Sequence, residues 1–229
     1  MRITNIKEEI KAYLNWSPLS LVIREICRLH SFEQQLLKVL PTQKLKVLDV
    51  GCGDGKWWQS LKKIRKMEIH GIDINTSEVE KAKRFINASV IDITNIEGLE
   101  KLPKDFDLVV GNCSLEHIPN IDQALKHISS VTKPNGFFIL YVPTPTWALR
   151  GKSIELLEKI SPRLSMAYSG FVNGFFQHWH LYHYEIWTHL LSNNGFEVDE
   201  VKGIGSKKLE LIFRLFLPSS FISFLVKIV

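Results

Sequence analysis

The sequence predicts an α/β fold, a mostly parallel sheet with helices on both faces. Two observations carry that expectation. From Lys44 onward, short apolar runs alternate with helical stretches, as strands joined by crossover helices do. The first run ends in "VLDVGCGDGKW", Val47 to Trp57, where three glycines follow an acid at a strand end. Glycine accepts positive φ and lets a ligand approach the backbone, but it weakens helices and strands. Three glycines there are more readily explained by a ligand than by packing.

Residues 1 to about 42 read as helix. "SPLSLVIREICRLHSFEQQLLKVL" has apolar positions at helical spacing, with Ser17-Pro18 as cap and first turn. The strands expected next are "LKVLDV", "MEIHGIDI", "NASVIDI", "FDLVVGN" and "GFFILYVP". "GKWWQSLKKIRK", "TSEVEKAKRFI" and "NIDQALKHISSVT" form the helices between them. "GFEVDEV" reads as a sixth strand. The final "SKKLELIFRLFLPSSFISFLVKIV" has two readings. Alternation through Leu209, Leu211, Phe213 and Leu215 would make a last antiparallel strand, whereas a helix here would be apolar nearly all round. A membrane span needs about 20 uninterrupted apolar residues, and Arg214 and Pro218 interrupt this one. The organisation expected is a helical cap over 1–43, a ligand-binding domain over 44–205 with an insertion at about 144–184, and an apolar tail over 206–229.

At 229 residues, 45% apolar and 23% charged, the chain has the balance of one globular domain. Cys27, Cys52 and Cys113 form no CxxC pair, which argues against a disulfide framework or cysteine zinc site and fits a reducing cytosol. "MRITNIKEEIKAYLNW" has no apolar core before a small-residue cleavage site, so no signal peptide is expected. The net charge of +5 is spread over lysines along the whole chain and does not by itself indicate nucleic acid.

Ligands of parallel sheets bind outside the carboxyl ends of the strands, so the unusual residues are sought there. "GCGDGKWW" lacks the spacing and the hydroxyl of a P-loop. A G-x-G-x-x-G fingerprint would need glycine where Lys56 stands. What remains is G-x-G-x-G after Asp49, suited to a ligand with a positive group; the alternative is a tight strand-to-helix turn. Asp73 ends the second strand at the spacing of a ribose-binding acid, roughly 20 residues on, and a carboxylate can accept from both vicinal hydroxyls. It could instead cap the next helix, although Asn75, Thr76 and Ser77 are better caps. Asp92, near the third strand's end, could accept from an exocyclic amine, or be a loop acid. After the fourth strand come Gly111, Asn112 and the pair Glu116-His117 before Pro119.

In this order, "VLDVGCGDG", "GIDI", "VIDI", "FDLVVGNCSLEHIPN" and "VTKPNGFFILYVP" resemble the class I S-adenosylmethionine-dependent methyltransferases. The resemblance is to the type 11-like subgroup that includes the ubiquinone and menaquinone methyltransferases, and it covers about residues 44 to 200. It implies a Rossmann-like sheet of seven strands and S-adenosylmethionine as cofactor. Carried over by position, it implies that Gly51, Gly53 and Gly55, with Cys52, wrap the methionine part, beside whose amino group Asp49 lies. Asp73 with Ile74 is implied at the ribose, Asp92 with Ile93 at the adenine edge, and Asn112, through its backbone, at the methionine end.

Methyl transfer from a sulfonium is a direct displacement that gains from alignment, and an oxygen acceptor gains further from a base. His117, His178, His180 and His183 are the candidates for that base; each could equally be a polar contact on a helix or loop. The resemblance implies that the segment between "YVPTP" and "GFEV" builds the acceptor pocket. No Cys or acid stands at zinc-ligand spacing from the later histidines. Ubiquinone O-methyltransferases show a metal-ligand glutamate where this chain has Cys113, so no metal is expected. "NCSL" is not the Asn/Asp-Pro-Pro-aromatic motif of adenine or amide N-methyltransferases. The aromatic stretch "FVNGFFQHWHLYHYEIW" contains neither Lys nor Arg, unlike a stacking surface for nucleic acid.

The expectation is therefore a cytoplasmic methyltransferase acting on an oxygen of a small-molecule or lipid-linked glycan acceptor. A tRNA or rRNA methyltransferase and a non-catalytic cofactor-binding subunit are the alternatives. The tail could be core, a dimer contact or an interfacial helix on the cytoplasmic membrane face.

Overall fold

Each of the first five apolar runs becomes a strand, because each is bounded by polar or glycine-rich sequence and is long enough to cross a sheet. The computed structural model describes residues 19–39, 44–61, 66–145, 152–204 and 207–216. The strands are β1 (Leu45–Val50), β2 (Met67–Asp73), β3 (Asn87–Val90), β4 (Phe106–Asn112) and β5 (Thr132–Tyr141). All pair in parallel in the order β3-β2-β1-β4-β5. The chain winds outward from β1 to β3, then returns to lay β4 on β1's other side. The order reverses between β1 and β4, and ligands of such sheets bind at that reversal, at the carboxyl ends.

The helices are α1 (Leu19–Val39), α2 (Trp57–Leu61), α3 (Thr76–Ala82), α4 (Ile96–Glu100), α5 (Ile121–Val131), α6 (Lys152–Ile160), α7 (Pro162–Phe175), α8 (Tyr184–Asn193) and α9 (Lys207–Leu215). Val22, Leu29, Phe32 and Leu36 form the buried stripe of α1, at the spacing of an amphipathic helix. Asparagine caps start α3, α4 and α5: Asn75 accepts from the Ser77 N–H at 2.9 Å, Asn95 from Glu97 at 3.0 Å and Asn120 from Gln123 at 3.4 Å. Such a cap contributes about 1 kcal/mol. Because Asn75 caps α3, Asp73 is not its cap.

The chain divides into two compact units. One comprises residues 36–144 and 177–201, the other residues 1–35, 145–176 and 202–229. In the first, Leu48, Val50, Ile72 and Val109 pack with Leu125, Ile128 and Val131 of α5 and Trp187 of α8. Val47, Leu108 and Val110, facing the other way, are buried too, as in a sheet covered on both faces. In the second, α6 packs against α7 and α9.

Two expectations are corrected, and one pair of alternatives is decided. The sheet has five strands among the described residues, not seven, within the same α/β Rossmann-like architecture. "GFEVDEV" makes no strand: Phe196 lays its ring 5.2 Å from Phe138 of β5, yet 196–201 form no ladder. Alternating burial fixes which side chains turn inward, not whether the backbone pairs. Of the two readings of the tail, the helix holds through Leu215. Phe213 is 5% exposed and Leu215 67%, although a strand would put both on one face. Arg214 is buried with its guanidinium 5.8 Å from the centre of the Tyr168 ring, so it is not one of the surface cations that a lipid contact would use. No helix among the described residues is long and apolar enough to cross a membrane. Residues 217–229 lie outside the described residues.

Candidate active site

The loops that leave β1 and β4 meet at the reversal of strand order. The Gly51 and Cys52 N–H groups both donate to the Ile72 carbonyl, at 2.8 and 3.0 Å, and fold the loop over the end of β2. Ser114 Oγ, in the loop after β4, donates to the Val50 carbonyl. Gly51, Gly53 and Gly55 all have positive φ, but their surroundings differ. A Cβ on Gly51 would overlap Ser114, and one on Gly55 would stand 3.0 Å from Ala82. Packing therefore gives Gly51 and Gly55 a reason to be glycine in addition to the ligand expected there. A Cβ on Gly53 would meet nothing within 4 Å, so the open side of the loop is at Gly53.

Asp73 organises that loop. Its Oδ2 accepts the Gly53 N–H at 3.0 Å and its Oδ1 the Asn75 N–H at 2.9 Å. A carboxylate offers about four lone pairs, so half its accepting capacity remains for a ligand's hydroxyls. Ile74, next along the chain, is 74% exposed, an apolar surface beside that acid. Asp92 accepts the Thr94 N–H and hydroxyl at 2.8 and 2.7 Å, both on Oδ1. The Ile93 side chain is core, and its carbonyl accepts from His127 Nδ1 at 2.6 Å. A contact of Ile93 with an adenine edge would thus use its N–H. Cys52 is buried, and burial, with Asp49 and Asp73 nearby, raises its thiol pKa strongly. It stays a protonated packing group.

Asp49 is 3% exposed and its Oδ2 accepts the Trp58 indole N–H at 2.6 Å. Burial pushes its pKa up to about 7, the Trp58 bond opposes the shift, and Asp73 adds to it. Asp49 Oδ1 and, at the end of the neighbouring strand, Asn112 Oδ1 are buried and accept no hydrogen bond among the described residues. Buried polar atoms nearly always have a partner. Both are acceptors, so the partner that fits is a donor such as an ammonium group. With the open cradle at Gly53 and the spare lone pairs of Asp73, these residues fit S-adenosylmethionine.

A pH dependence follows. An ammonium group pairs with Asp49 only as carboxylate, and the raised pKa leaves the free protein largely protonated below about pH 7. Binding at pH 6 must expel a proton; at pH 8 it need not. The dissociation constant for S-adenosylhomocysteine is expected to rise about tenfold from pH 8 to pH 6, the cost of about one pH unit. Calorimetry at the two values checks this, and Asp49→Asn should flatten the profile.

The histidines separate. His180 is buried, with Nε2 2.8 Å from the Ile118 carbonyl and Nδ1 3.0 Å from the Tyr182 hydroxyl. Both nitrogens are engaged, which makes it a brace rather than a base. His183 is exposed at the N-terminus of α8. His117 and His178 come together, with near-parallel rings 5.3 Å apart. Beside them is buried Glu116, whose Oε1 lies 3.6 Å from His117 Nε2. The Glu116 carbonyl accepts the N–H groups of Trp179 and His180, at 2.9 and 3.1 Å. Spacing could not reveal this group, because it joins the turn after β4 to a segment beyond α7.

Residues 21–201 match a family model described as a methyltransferase domain. The ubiquinone biosynthesis O-methyltransferase of Bartonella quintana is 25% identical over 151 residues, 64% of this chain and 60% of that protein. That of Brucella anthropi is 28% identical over 121 residues, 51% of this chain and 48% of that protein. The chain thus spans three fifths or less of the length of these curated relatives. Haemonchus contortus phosphoethanolamine N-methyltransferase 2, solved with S-adenosyl-L-methionine, aligns with a TM-score of 0.60 at 19% identity, covering 86% of this chain and 44% of that one. A SAM-dependent methyltransferase from Archaeoglobus fulgidus aligns with a TM-score of 0.51 at 20% identity, covering 83% and 87%. At these identities the two structures show a shared fold.

Proposed function

Since this chain belongs to the methyltransferase-domain family and is a class I S-adenosylmethionine-dependent enzyme, we propose that it methylates a hydroxyl oxygen of a small-molecule or lipid-linked acceptor. S-Adenosylmethionine, when bound, supplies a methyl group on a sulfonium that a nucleophile can displace. Asp49 holds the amino group, Asp73 the ribose hydroxyls and Asp92 the adenine amine, each with lone pairs that its own contacts leave open.

The single observation that carries the oxygen acceptor is the state of His117. Its Nδ1 lies 3.1 Å from the Gln177 carbonyl. A carbonyl can only accept, so in the neutral ring Nδ1 carries the proton and Nε2 offers a lone pair. The side chain is partly exposed and follows Asn112 by one short turn, at the carboxyl end of the sheet. A base there removes the proton of an incoming hydroxyl as the oxygen attacks. The O-methyltransferase relatives support the same reading, as does "NCSL" in place of an amino-methyltransferase motif.

The test is transfer of a radiolabelled methyl group from S-adenosylmethionine to separated lipid, small-metabolite, glycan and RNA fractions. Base-stable label in the lipid or small-metabolite fraction is expected. Label confined to RNA would overturn the proposal in favour of an RNA methyltransferase.

A further inference from the structure

The geometry points to a divalent transition-metal site formed by Glu116, His117 and His178. One ligand atom from each lies within 4.8 Å of the others. The two imidazoles and one carboxylate are a donor set suited to zinc, manganese, iron or cobalt, whereas magnesium and calcium take oxygen ligands.

Three features set these side chains up as ligands. The bond between His117 Nδ1 and the Gln177 carbonyl fixes the ring and leaves Nε2 as its lone-pair nitrogen, as second-sphere carbonyls do for metal-binding histidines. Nε2 lies 3.6 Å from Glu116 Oε1, too far for a good hydrogen bond and a separation that two ligands of one cation can have. The N–H bonds of Trp179 and His180 to the Glu116 carbonyl clamp the turn to the segment that delivers His178, so the geometry is held before any ion arrives.

This set differs from the one that the family resemblance implies, which requires a carboxylate where Cys113 stands. Here the third ligand comes from the segment after α7, and Cys113 takes no part. With His178 as third ligand, a metal no longer needs the carboxylate at position 113, on whose lack the expectation of no metal rested. Three protein ligands leave coordination positions open, where an acceptor hydroxyl would be polarised and its proton more readily lost. That role rests on the methyl-transfer reading; the site itself does not.

The experiment titrates the intact chain, freed of metal by chelation and dialysis, with cobalt(II) and then zinc(II), without acceptor or cofactor. Expected are one equivalent of cobalt with visible d–d absorption, and its displacement by zinc. His178→Ala and Glu116→Gln should each weaken binding at least tenfold, and Cys113→Ser should leave it unchanged. Circular dichroism checks folding; if Glu116→Gln does not fold, partly exposed His178 keeps the test decisive. No cobalt binding at millimolar concentration, binding that survives His178→Ala, or binding lost in Cys113→Ser would each overturn the site. Methyl transfer itself is decided separately by the labelling experiment; with the site occupied, His117 Nε2 is a ligand and activation of the hydroxyl passes from that nitrogen to the metal.

Discussion

Asp73→Ala is expected to weaken S-adenosylhomocysteine binding by about a hundredfold or more. Two losses combine. Deleting a hydrogen bond to a charged acceptor costs about 1.5–3 kcal/mol, roughly tenfold to more than a hundredfold in affinity. The same carboxylate also accepts the Gly53 and Asn75 N–H groups, so its removal frees the one part of the glycine loop that faces open space. Some binding energy is then spent on reordering that loop. Folding stability should fall as well, by about 1–3 kcal/mol, because two backbone donors lose their acceptor. Calorimetric titration and a thermal melt separate the two effects. An unchanged dissociation constant would place the ribose away from β2.

His117→Ala is expected to lower turnover by at least about a hundredfold, within the range for loss of a general base, while cofactor-product affinity changes less than about twofold. A group that acts on the acceptor in the transition state affects kcat rather than cofactor binding. His180→Ala supplies the contrast. Its ring braces the Ile118 carbonyl and the Tyr182 hydroxyl, so its removal should lower the melting temperature before it lowers the turnover of folded protein. Steady-state kinetics on an identified acceptor, beside melts of both variants, reads this out. Equal kinetic losses with equal loss of stability would make His117 another brace.

What could be read from the chain followed from how locally each feature is determined. Strands β1 to β5 were legible because each apolar run is closed off within the run itself, by Gly51, by Asp73 or by Asn112. The placement of Asp49 and Asp73 on one edge was legible because a parallel sheet puts its strand ends there. The tail kept two readings because Leu209, Leu211, Phe213 and Leu215 satisfy period two, while burial of Phe213 and exposure of Leu215 follow a helix. The packing at Gly51 and Gly55 was not legible because Ser114 and Ala82, which exclude a side chain there, come from other elements. Glu116 and His178 were not linked for the same reason. The backbone bonds from Trp179 and His180 to Glu116, with the contact of His117 to the Gln177 carbonyl, bring them together, and no spacing rule encodes such a closure.

The central claim is that the crevice between β1 and β4 holds S-adenosylmethionine through Asp49, the Gly53 cradle and Asp73. Calorimetric titration of the unmodified chain at pH 8 with S-adenosylhomocysteine, and separately with NAD, tests it most directly. The account predicts one saturable equivalent of S-adenosylhomocysteine and no heat of binding from NAD. Saturable binding of NAD with none of S-adenosylhomocysteine would contradict it.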